Sequence, residues 1–385
     1  MAVYYITICS LAGAGFLFKK KETKAVPVYL LLAFVVLTLL ASMRYAIGFD
    51  YFAYRNIYTM ISQWTFHDIL VNYQYEPLYF VLCKIFSLMH CPYEIFLLCI
   101  NALLLFTAML FIYRYSKLPW ISVYLYITLQ FLAYDMNLIR QSLAICFFML
   151  SYPYLRDRKL LPYSILIIVG GLFHNSLWFM YPAYIFLPKK NTRTFTIGMI
   201  LLAVTGYLFF EPFFNKLQPF LPLKYISYEG TYFWNSSTFD YVIPAAIYAL
   251  FIYLFRSRIE DSHLRNICLN SALLHFLISL FITKHFILER FAVYPFIFSL
   301  IAIPEIIVSY QTDTENAGRP QILAQTRTSF TDHCILSLNY RTVLLLFLLS
   351  GACYFMFAAS KGFHHVYPYV SLLDRSYSAP VPQTL

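Results

Sequence analysis

The stretch EIFLLCINALLLFTAMLFIY, residues 94–113, contains one charged side chain in twenty positions. As an α-helix it would measure about 30 Å, which matches the hydrocarbon core of a bilayer. Similar apolar runs recur along the chain, about eleven to thirteen in all, near 3–18, 26–42, 77–89, 118–134, 138–154, 161–187, 195–210, 241–255, 267–283, 291–309 and 342–358. A soluble core could bury one or two such runs, but not this many. The sequence therefore predicts an all-α, polytopic integral membrane protein whose residues 1–385 form a single helical domain.

Charged residues are scarce and unevenly placed. The chain is 61% hydrophobic and 12% charged, and its net charge is +10. Most basic residues lie in short clusters between apolar runs, at Lys19–Lys24, Arg114–Lys117, Arg156–Lys159, Lys189–Arg193 and Arg256–Arg265. The positive-inside rule explains this pattern and places the clusters in the cytoplasm, so the positive charge does not require a nucleic-acid partner. Because the first cluster follows the first run, we expect an N-terminal helix that starts outside, rather than a cleaved signal peptide.

This topology divides the loops between the two sides of the membrane. The outer segments lie near 43–76, 135–140, 211–240 and 284–290 and at a turn near His174, the polar loop 311–340 is cytoplasmic, and a tail covers 359–385. Two runs do not fit this alternation. Either the run 77–89 is a re-entrant or interfacial helix, or one basic cluster is misplaced; the run is short for a span, which favours re-entry. The run 161–187 is too long for one span, and we expect two half-length helices that meet near His174, because it is interrupted by Gly170, Gly171, His174 and Pro182.

The first isolated polar motif begins where the second run ends, at Arg44. Arginine offers a planar fork of donors that suits phosphate or carboxylate. Gly48 permits a tight turn that would bring Asp50 back towards Arg44. Tyr51 and Tyr54 follow, and aromatic residues beside an acid are common in sugar-binding sites. The alternative is an interfacial tyrosine belt with a snorkelling arginine.

Two further polar motifs open predicted helices. Glu76 precedes Pro77, which suits the first turn of a helix with Glu76 as a possible cap; a plain helix start is the alternative. Asn137, Arg140 and Gln141 recur at helical spacing and would share one face. Because a charge at the centre of a membrane helix costs about 2.5–3.5 kcal/mol on insertion scales, this face is expected to point to the interior.

The last two motifs are a histidine at the expected helix break and an acid–base pair. His174 has an unperturbed pKa near 6.5, which suits a general base, and Ser176 follows it; a hydrogen-bonded packing histidine is the alternative. Glu289 and Arg290 lie where an outer loop enters a span, and an interfacial salt bridge is the alternative reading there.

All of these motifs fall on the predicted outer side, where neither nucleotide sugars nor ATP are available. The sequence has no P-loop, HExxH, GxSxG or EF-hand pattern, and no DxD pair in the outer segments. We therefore expect neither a metal nor another cofactor. A lipid-linked diphosphate sugar is the donor available there. Arginines would hold its diphosphate and one base would deprotonate a sugar hydroxyl. A flippase or transporter of lipid-linked oligosaccharide, and a ligase or acyltransferase acting on it, are the alternatives.

The motifs resemble, in order and spacing, the EpsG-like family of Wzy-type polysaccharide polymerases. The resemblance covers about residues 40–300 and rests on Arg-x-x-x-Gly-x-Asp-Tyr-x-x-Tyr at 44–54, Glu76-Pro77, Arg140-Gln141, Phe173-His174-x-Ser176 and Arg290. It implies a multi-pass protein of the bacterial plasma membrane, with a fold like that of GT-C-like lipid-linked sugar transferases. It also implies polymerisation of undecaprenyl-diphosphate-linked repeat units into an O-antigen or exopolysaccharide. The expected partners are that lipid-linked oligosaccharide, membrane lipid, and a chain-length regulator and flippase of the same pathway.

The resemblance also implies roles for individual residues in a metal-independent, inverting transfer. Arg44, Arg140 and Arg290 would hold the diphosphate. His174 or Asp50 would activate the acceptor hydroxyl; His174 is slightly preferred, because an aspartate beside Arg44 should have a lowered pKa and be a weaker base. The other candidate substrate-binding residues share positions in or beside these motifs and are Tyr51, Tyr54, Glu76, Asn137, Gln141, Ser176 and Glu289.

Overall fold

The computed structural model describes residues 1–17, 25–71, 76–217, 239–316 and 338–374. Within these ranges the chain forms eighteen α-helices and five short 3-10 turns, and no strand. The all-α prediction is therefore confirmed. Tyr75, the predicted cluster Lys19–Lys24 and most of the segments 211–240 and 311–340 lie outside the described residues.

The helices follow the apolar runs closely. The first nine are α1 Ala2–Leu17, α2 Ala25–Ser42, α3 Tyr51–Gln63, α4 Phe66–Val71, α5 Pro77–Leu88, α6 Tyr93–Tyr115, α7 Pro119–Thr128, α8 Phe131–Asn137 and α9 Ile139–Arg156. The others are α10 Leu160–Gly171, α11 Ala183–Phe186, α12 Arg193–Leu208, α13 Phe210–Leu217, α14 Val242–Leu254, α15 Ser262–Ile282, α16 Glu289–Phe296, α17 Ser299–Asn316 and α18 Tyr340–Ser360.

Fewer of these helices than expected are long enough to cross a membrane alone. In the described ranges, α2, α6, α15 and α18 meet the requirements of length and apolar composition. The number rises to six when α12 with α13, bent by 65°, and the segment Phe286–Phe296 with α17, bent by 43°, each count as one broken span. The other described apolar runs form shorter or interrupted helices, which fits the expected re-entrant and broken segments. Gln130, for example, adopts a left-handed φ of 72° and separates α7 from α8.

Helix α5 behaves as its length suggests. Its twelve residues would reach only about 18 Å. At its start, the Leu78 N–H donates to the Leu172 carbonyl, 3.2 Å away. After its end, Tyr93 packs against Tyr51 at the start of α3, with ring centroids 6.0 Å apart. Both ends of α5 therefore lie at one end of the bundle, as expected for a re-entrant or interfacial helix.

The predicted break in run 161–187 is also present. Helix α10 ends at Gly171, a 3-10 turn covers Asn175–Met180, and α11 follows. The two glycines allow the turn to fold closely over α10. A Cβ atom on Gly170 would lie 2.4 Å from Leu177 Cδ2, and one on Gly171 would lie 1.7 Å from Trp178 Nε1.

The chain after α18 packs against the ends of other helices, although the sequence indicated no role for this tail. The Tyr4 hydroxyl donates to the Val366 carbonyl at 2.8 Å, and the Tyr367 hydroxyl donates to Gln130 Oε1 at 2.8 Å. The Tyr369 hydroxyl donates to Leu40 O at 2.9 Å. These contacts bring the described part of the tail to the end of α2 and the start of α8.

Candidate functional site

The polar motifs converge because the helices that carry them begin or end at one end of the bundle. Helices α2 and α10 end there, and α3, α5, α9 and α16 begin there. The basic residues at the C-terminal ends of α6 and α9 lie one helix length away. The polar motifs and these basic residues therefore lie at opposite ends of the helices.

A buried ion pair joins two of the motifs. Arg140 Nη1 lies 2.7 Å from Glu76 Oε2, and the Glu76 side chain is 1% exposed. Glu76 occupies the N-cap position of α5 but makes no side-chain cap, so the expected capping role is wrong. Its second carboxylate oxygen instead accepts from the Asn175 N–H at 3.5 Å. The Tyr54 ring lies 5.7 Å from the Arg140 guanidinium carbon.

Asn137, Arg140 and Gln141 do not share one helical face. Leu138, with φ −106° and ψ 59°, separates α8, which ends at Asn137, from α9. The break directs the three side chains to different partners. Asn137 Oδ1 accepts from the Asp50 N–H at 3.0 Å, and Gln141 Nε2 donates to the Arg290 carbonyl at 2.5 Å.

Asp50 is held in a tight loop between α2 and α3. Gly48 has a φ of 93°, and a Cβ atom there would lie 2.9 Å from the Met136 carbonyl oxygen, so only glycine fits. Burial raises the pKa of Asp50, and the positive charges of Arg290 and Arg140 lower it; the net direction is upward. The prediction of a lowered pKa beside Arg44 is therefore wrong, because burial outweighs the nearby charges and because these charges come from other arginines.

Arg44 lies in a different environment. The residue is 1% exposed, and its guanidinium donates to the Ala41 carbonyl at the end of α2. The Tyr51 ring centroid is 6.0 Å from its guanidinium carbon. Its backbone pairs with Ser371 in an isolated antiparallel bridge. Arg44 thus fastens α2 to the tail, and the expected turn that brings Asp50 back to Arg44 is not formed.

Tyr51 and Tyr54, expected to contact sugar, are part of an aromatic cluster between α3, α5 and α6. They are 1% and 3% exposed. Tyr54 packs on Tyr79 with ring centroids 5.6 Å apart. The structure gives both residues a packing role.

His174 heads a chain of hydrogen bonds at the helix break. Its Nδ1 accepts from the Ser176 N–H at 3.4 Å and lies 2.6 Å from Ser176 Oγ. Ser176 Oγ is in turn 2.7 Å from the Tyr294 hydroxyl. Since a backbone N–H can only donate, Nδ1 is an acceptor and the neutral imidazole carries its proton on Nε2.

Glu289 and Arg290, at the start of α16, face different groups. Glu289 Oε1 accepts from the Tyr134 hydroxyl at 2.5 Å and lies 3.8 Å from His364 Nε2. His364 Nδ1 is 3.4 Å from Asn137 Nδ2. His364 was not among the predicted site residues, although the stretch Lys361–His365 follows the last apolar run and could have been assigned to the same outer side.

A cavity of about 500 Å³ adjoins this part of the site. Tyr134, Glu289 and His364 lie in its wall, and much of the remaining lining is apolar side chains of α14, α16 and α18. In the described ranges, no three His, Cys, Asp or Glu side chains are placed to hold a metal ion. The polar cluster and the apolar cavity therefore meet at Glu289.

These features define a multi-pass, all-α membrane protein with a buried polar cluster at one end of its helices. The chain belongs to the EpsG family, whose family model matches residues 28–317. The matched range includes every motif from Arg44 to Arg290 and ends before the tail that carries His364. The comparisons with curated proteins and with solved structures give no match.

Proposed function

We propose that this protein polymerises lipid-linked oligosaccharide repeat units into a surface polysaccharide. The transfer would take place on the outer face of the bacterial plasma membrane. Membership of the EpsG family supports a polymerase-type role. The observation that carries the chemistry is a partly buried carboxyl group, Asp50, on which the charges of Arg290 and Arg140 act. A carboxylate within the electrostatic influence of two cations suits an acceptor hydroxyl that attacks a sugar diphosphate.

The two arginines are assigned to the diphosphate of the donor. Glu76 fixes the orientation of the Arg140 guanidinium through the 2.7 Å ion pair. Gln141 holds the main chain of Arg290 at its carbonyl. Donors held in place before the substrate arrives need little reorganisation as charge develops on the leaving group. Arg44 is reassigned to structure, because its guanidinium is bound to the end of α2.

We assign the base to Asp50 and the role of hydrogen-bond donor to His174. Asp50 takes the proton of the acceptor hydroxyl, whose oxygen forms a bond to the anomeric carbon. The bond from that carbon to the diphosphate oxygen breaks, and the polyprenyl diphosphate leaves with the electron pair. Attack from the opposite face inverts the anomeric configuration. A raised pKa makes Asp50 a stronger base, whereas the proton on His174 Nε2 leaves that nitrogen able only to donate.

The cavity beside Glu289 supports a lipid-linked substrate, since its largely apolar wall suits a hydrocarbon chain next to a polar headgroup. A flippase that delivers lipid-linked units and a chain-length regulator remain the proposed partners, by family resemblance alone. No step of the mechanism is assigned to a metal ion or another cofactor.

The test is a gel of surface glycans from a host that carries the cognate gene cluster. It compares the intact gene, its deletion, and Asp50→Asn and Arg140→Gln at matched expression. Asp157→Asn is the control, because Asp157 is an exposed acid paired with Arg156 after α9. We expect the deletion and both site variants to leave acceptors with a single repeat unit and no ladder. Acceptors with no unit at all would contradict the proposal and indicate a flippase, ligase or acyltransferase.

A further inference from the structure

The segment after α18 is hydrogen-bonded to the loop that carries Asp50. The Gly48 N–H donates to the His365 carbonyl at 2.9 Å, and the Phe49 N–H donates to the His364 carbonyl at 3.3 Å. Two further backbone hydrogen bonds extend the contact. The Tyr45 N–H donates to the Val370 carbonyl at 2.9 Å, and the Leu372 N–H donates to the Met43 carbonyl at 2.7 Å. The tail therefore lies along the whole loop between α2 and α3, although it is outside the range of the family match.

The turn that makes this contact has an unusual backbone. Gly362, His364 and His365 have φ values of 67°, 58° and 51°. Residues other than glycine rarely adopt positive φ, and such conformations persist where the surroundings hold them. Here the His364 ring packs on Tyr134, with ring centroids 4.3 Å apart, and its side chain is 6% exposed.

The side chain of His364 continues the hydrogen bonds that begin at Asp50. Because the Asp50 N–H must donate, the atom of Asn137 that faces it is the carbonyl oxygen Oδ1. The amide nitrogen of Asn137 then points at His364 Nδ1, which accepts at 3.4 Å. Burial, followed by the neighbouring His365, lowers the pKa of His364 to about 3, so the ring is neutral at pH 7. Its proton lies on Nε2, 3.8 Å from Glu289 Oε1.

We propose that the tail is an integral part of the site and that His364 is a positioning residue for Asp50. Its Nδ1 holds the Asn137 amide, which holds the main chain of Asp50, and the two backbone bonds from residues 364 and 365 fix the rest of the loop. The proposal rests on the proposed function in one respect, the role of Asp50 as the base. A simple packing role would need the shape of His364 but not its acceptor nitrogen.

Two substitutions separate these roles. His364→Asn keeps an acceptor oxygen close to the position of Nδ1, whereas His364→Leu fills similar space without one. Because leucine also fits a φ of 58° less well than asparagine, His365→Leu, at a φ of 51°, measures the cost of the backbone conformation alone. We expect His364→Asn to make most of the normal amount of polymer and His364→Leu to make about tenfold less, or less still. A displacement of the base by about 1 Å can lower a reaction rate by that much. His263→Ala is the matched control, because His263 is an exposed histidine at the start of α15, and it should leave the ladder unchanged.

A cross-link tests the geometry separately from activity. The rings of Phe49 and His365 have centroids 5.5 Å apart, so Phe49→Cys with His365→Cys, in a chain without its native cysteines, should form a short cross-link in membranes. Peptide mass spectrometry would measure its yield in chains that carry His364, His364→Asn or His364→Leu. We expect the leucine variant to lower the yield and the asparagine variant to preserve it.

The outcomes are distinct. A normal ladder with His364→Leu would overturn the positioning role, and so would an equal loss with His364→Asn and His364→Leu at an unchanged cross-link yield. Absence of the cross-link in the chain with His364 would overturn the contact itself. If deletion of the gene leaves the acceptor without any repeat unit, the proposed function fails, but the dependence of the cross-link on residue 364 still decides whether the tail holds the loop.

Discussion

Arg140 Nη1 lies 2.7 Å from Glu76 Oε2 across 64 residues of sequence, with the two side chains 15% and 1% exposed. The pair links the start of α9 to the start of α5, and Glu76 also reaches the turn after α10 through Asn175. A buried charge without its partner is costly, because it has lost its hydration and no opposite charge stabilises it in place of water.

Glu76→Gln should therefore destabilise the protein strongly. Loss of one partner of a buried ion pair typically costs about 3–5 kcal/mol. The double variant Glu76→Gln/Arg140→Gln should recover part of this stability, since no unpaired charge remains, but it should make no ladder. The measurements are the unfolding temperature in detergent and the glycan gel.

The control for this pair is Arg156→Gln, which breaks an ion pair whose side chains are both 39% exposed. An exposed pair contributes about 0–1 kcal/mol, so little change is expected. A double variant no more stable than Glu76→Gln would contradict the account of the buried pair.

Gly48→Ala should impair both folding and activity. The backbone there has a φ of 93°, and the new methyl group would meet the Met136 carbonyl at 2.9 Å. A left-handed conformation alone costs a non-glycine residue about 1–2 kcal/mol, and the contact adds to it. Gly13→Ala in α1 is the control, because nothing lies within 4 Å of its added Cβ atom. Comparable unfolding temperatures for the two variants would show that the Asp50 loop does not need its glycine.

Much of the fold was predictable because it depends on local composition. Apolar runs gave the helices, and the interruption at Gly170 and Gly171 gave the break near His174. The positions at which an apolar run breaks into two helices were harder to predict. Nothing in the sequence around Leu138 marks the end of α8, so Asn137 was placed on one face with Arg140 although the two belong to different helices.

The partners of the site residues were less predictable, because they depend on contacts between distant segments. Gly48 did signal a tight turn, but the cations whose charges act on Asp50 are Arg290, which is 240 residues away, and Arg140, rather than the nearby Arg44. His364 was not predicted for the same reason, because its partner Asn137 is 227 residues away in the sequence. A single sequence shows which residue types are unusual for a membrane helix, but it does not show which of them meet.

His174→Gln should retain part of the activity that His174→Ala loses. The proton of the neutral imidazole lies on Nε2, because Nδ1 accepts from Ser176. Glutamine places an amide N–H near the Nε2 position and can replace a donor, but it cannot act as a base. Initial rates would be measured with lipid-linked units extracted from the deletion host and purified enzyme. If both variants are equally inactive at equal stability, the donor role is wrong and the base assignment returns to His174.

Asp50→Asn should leave a folded but inactive protein. Because folding raises the pKa of Asp50, its ionisation opposes folding, and the penalty is present above the folded-state pKa and disappears as the pH falls below the unfolded value near 3.9. Asparagine carries no charge, so the variant should be as stable as the parent at neutral pH, or more so, with no detectable transfer.

The rate of the parent should fall on acidification as Asp50 is protonated. Arg290→Gln removes a positive charge that lowers this pKa, so it should move the acidic limb of the pH profile to higher pH. A profile with an unmoved limb in Arg290→Gln, or measurable transfer by Asp50→Asn, would show that Asp50 is not the base.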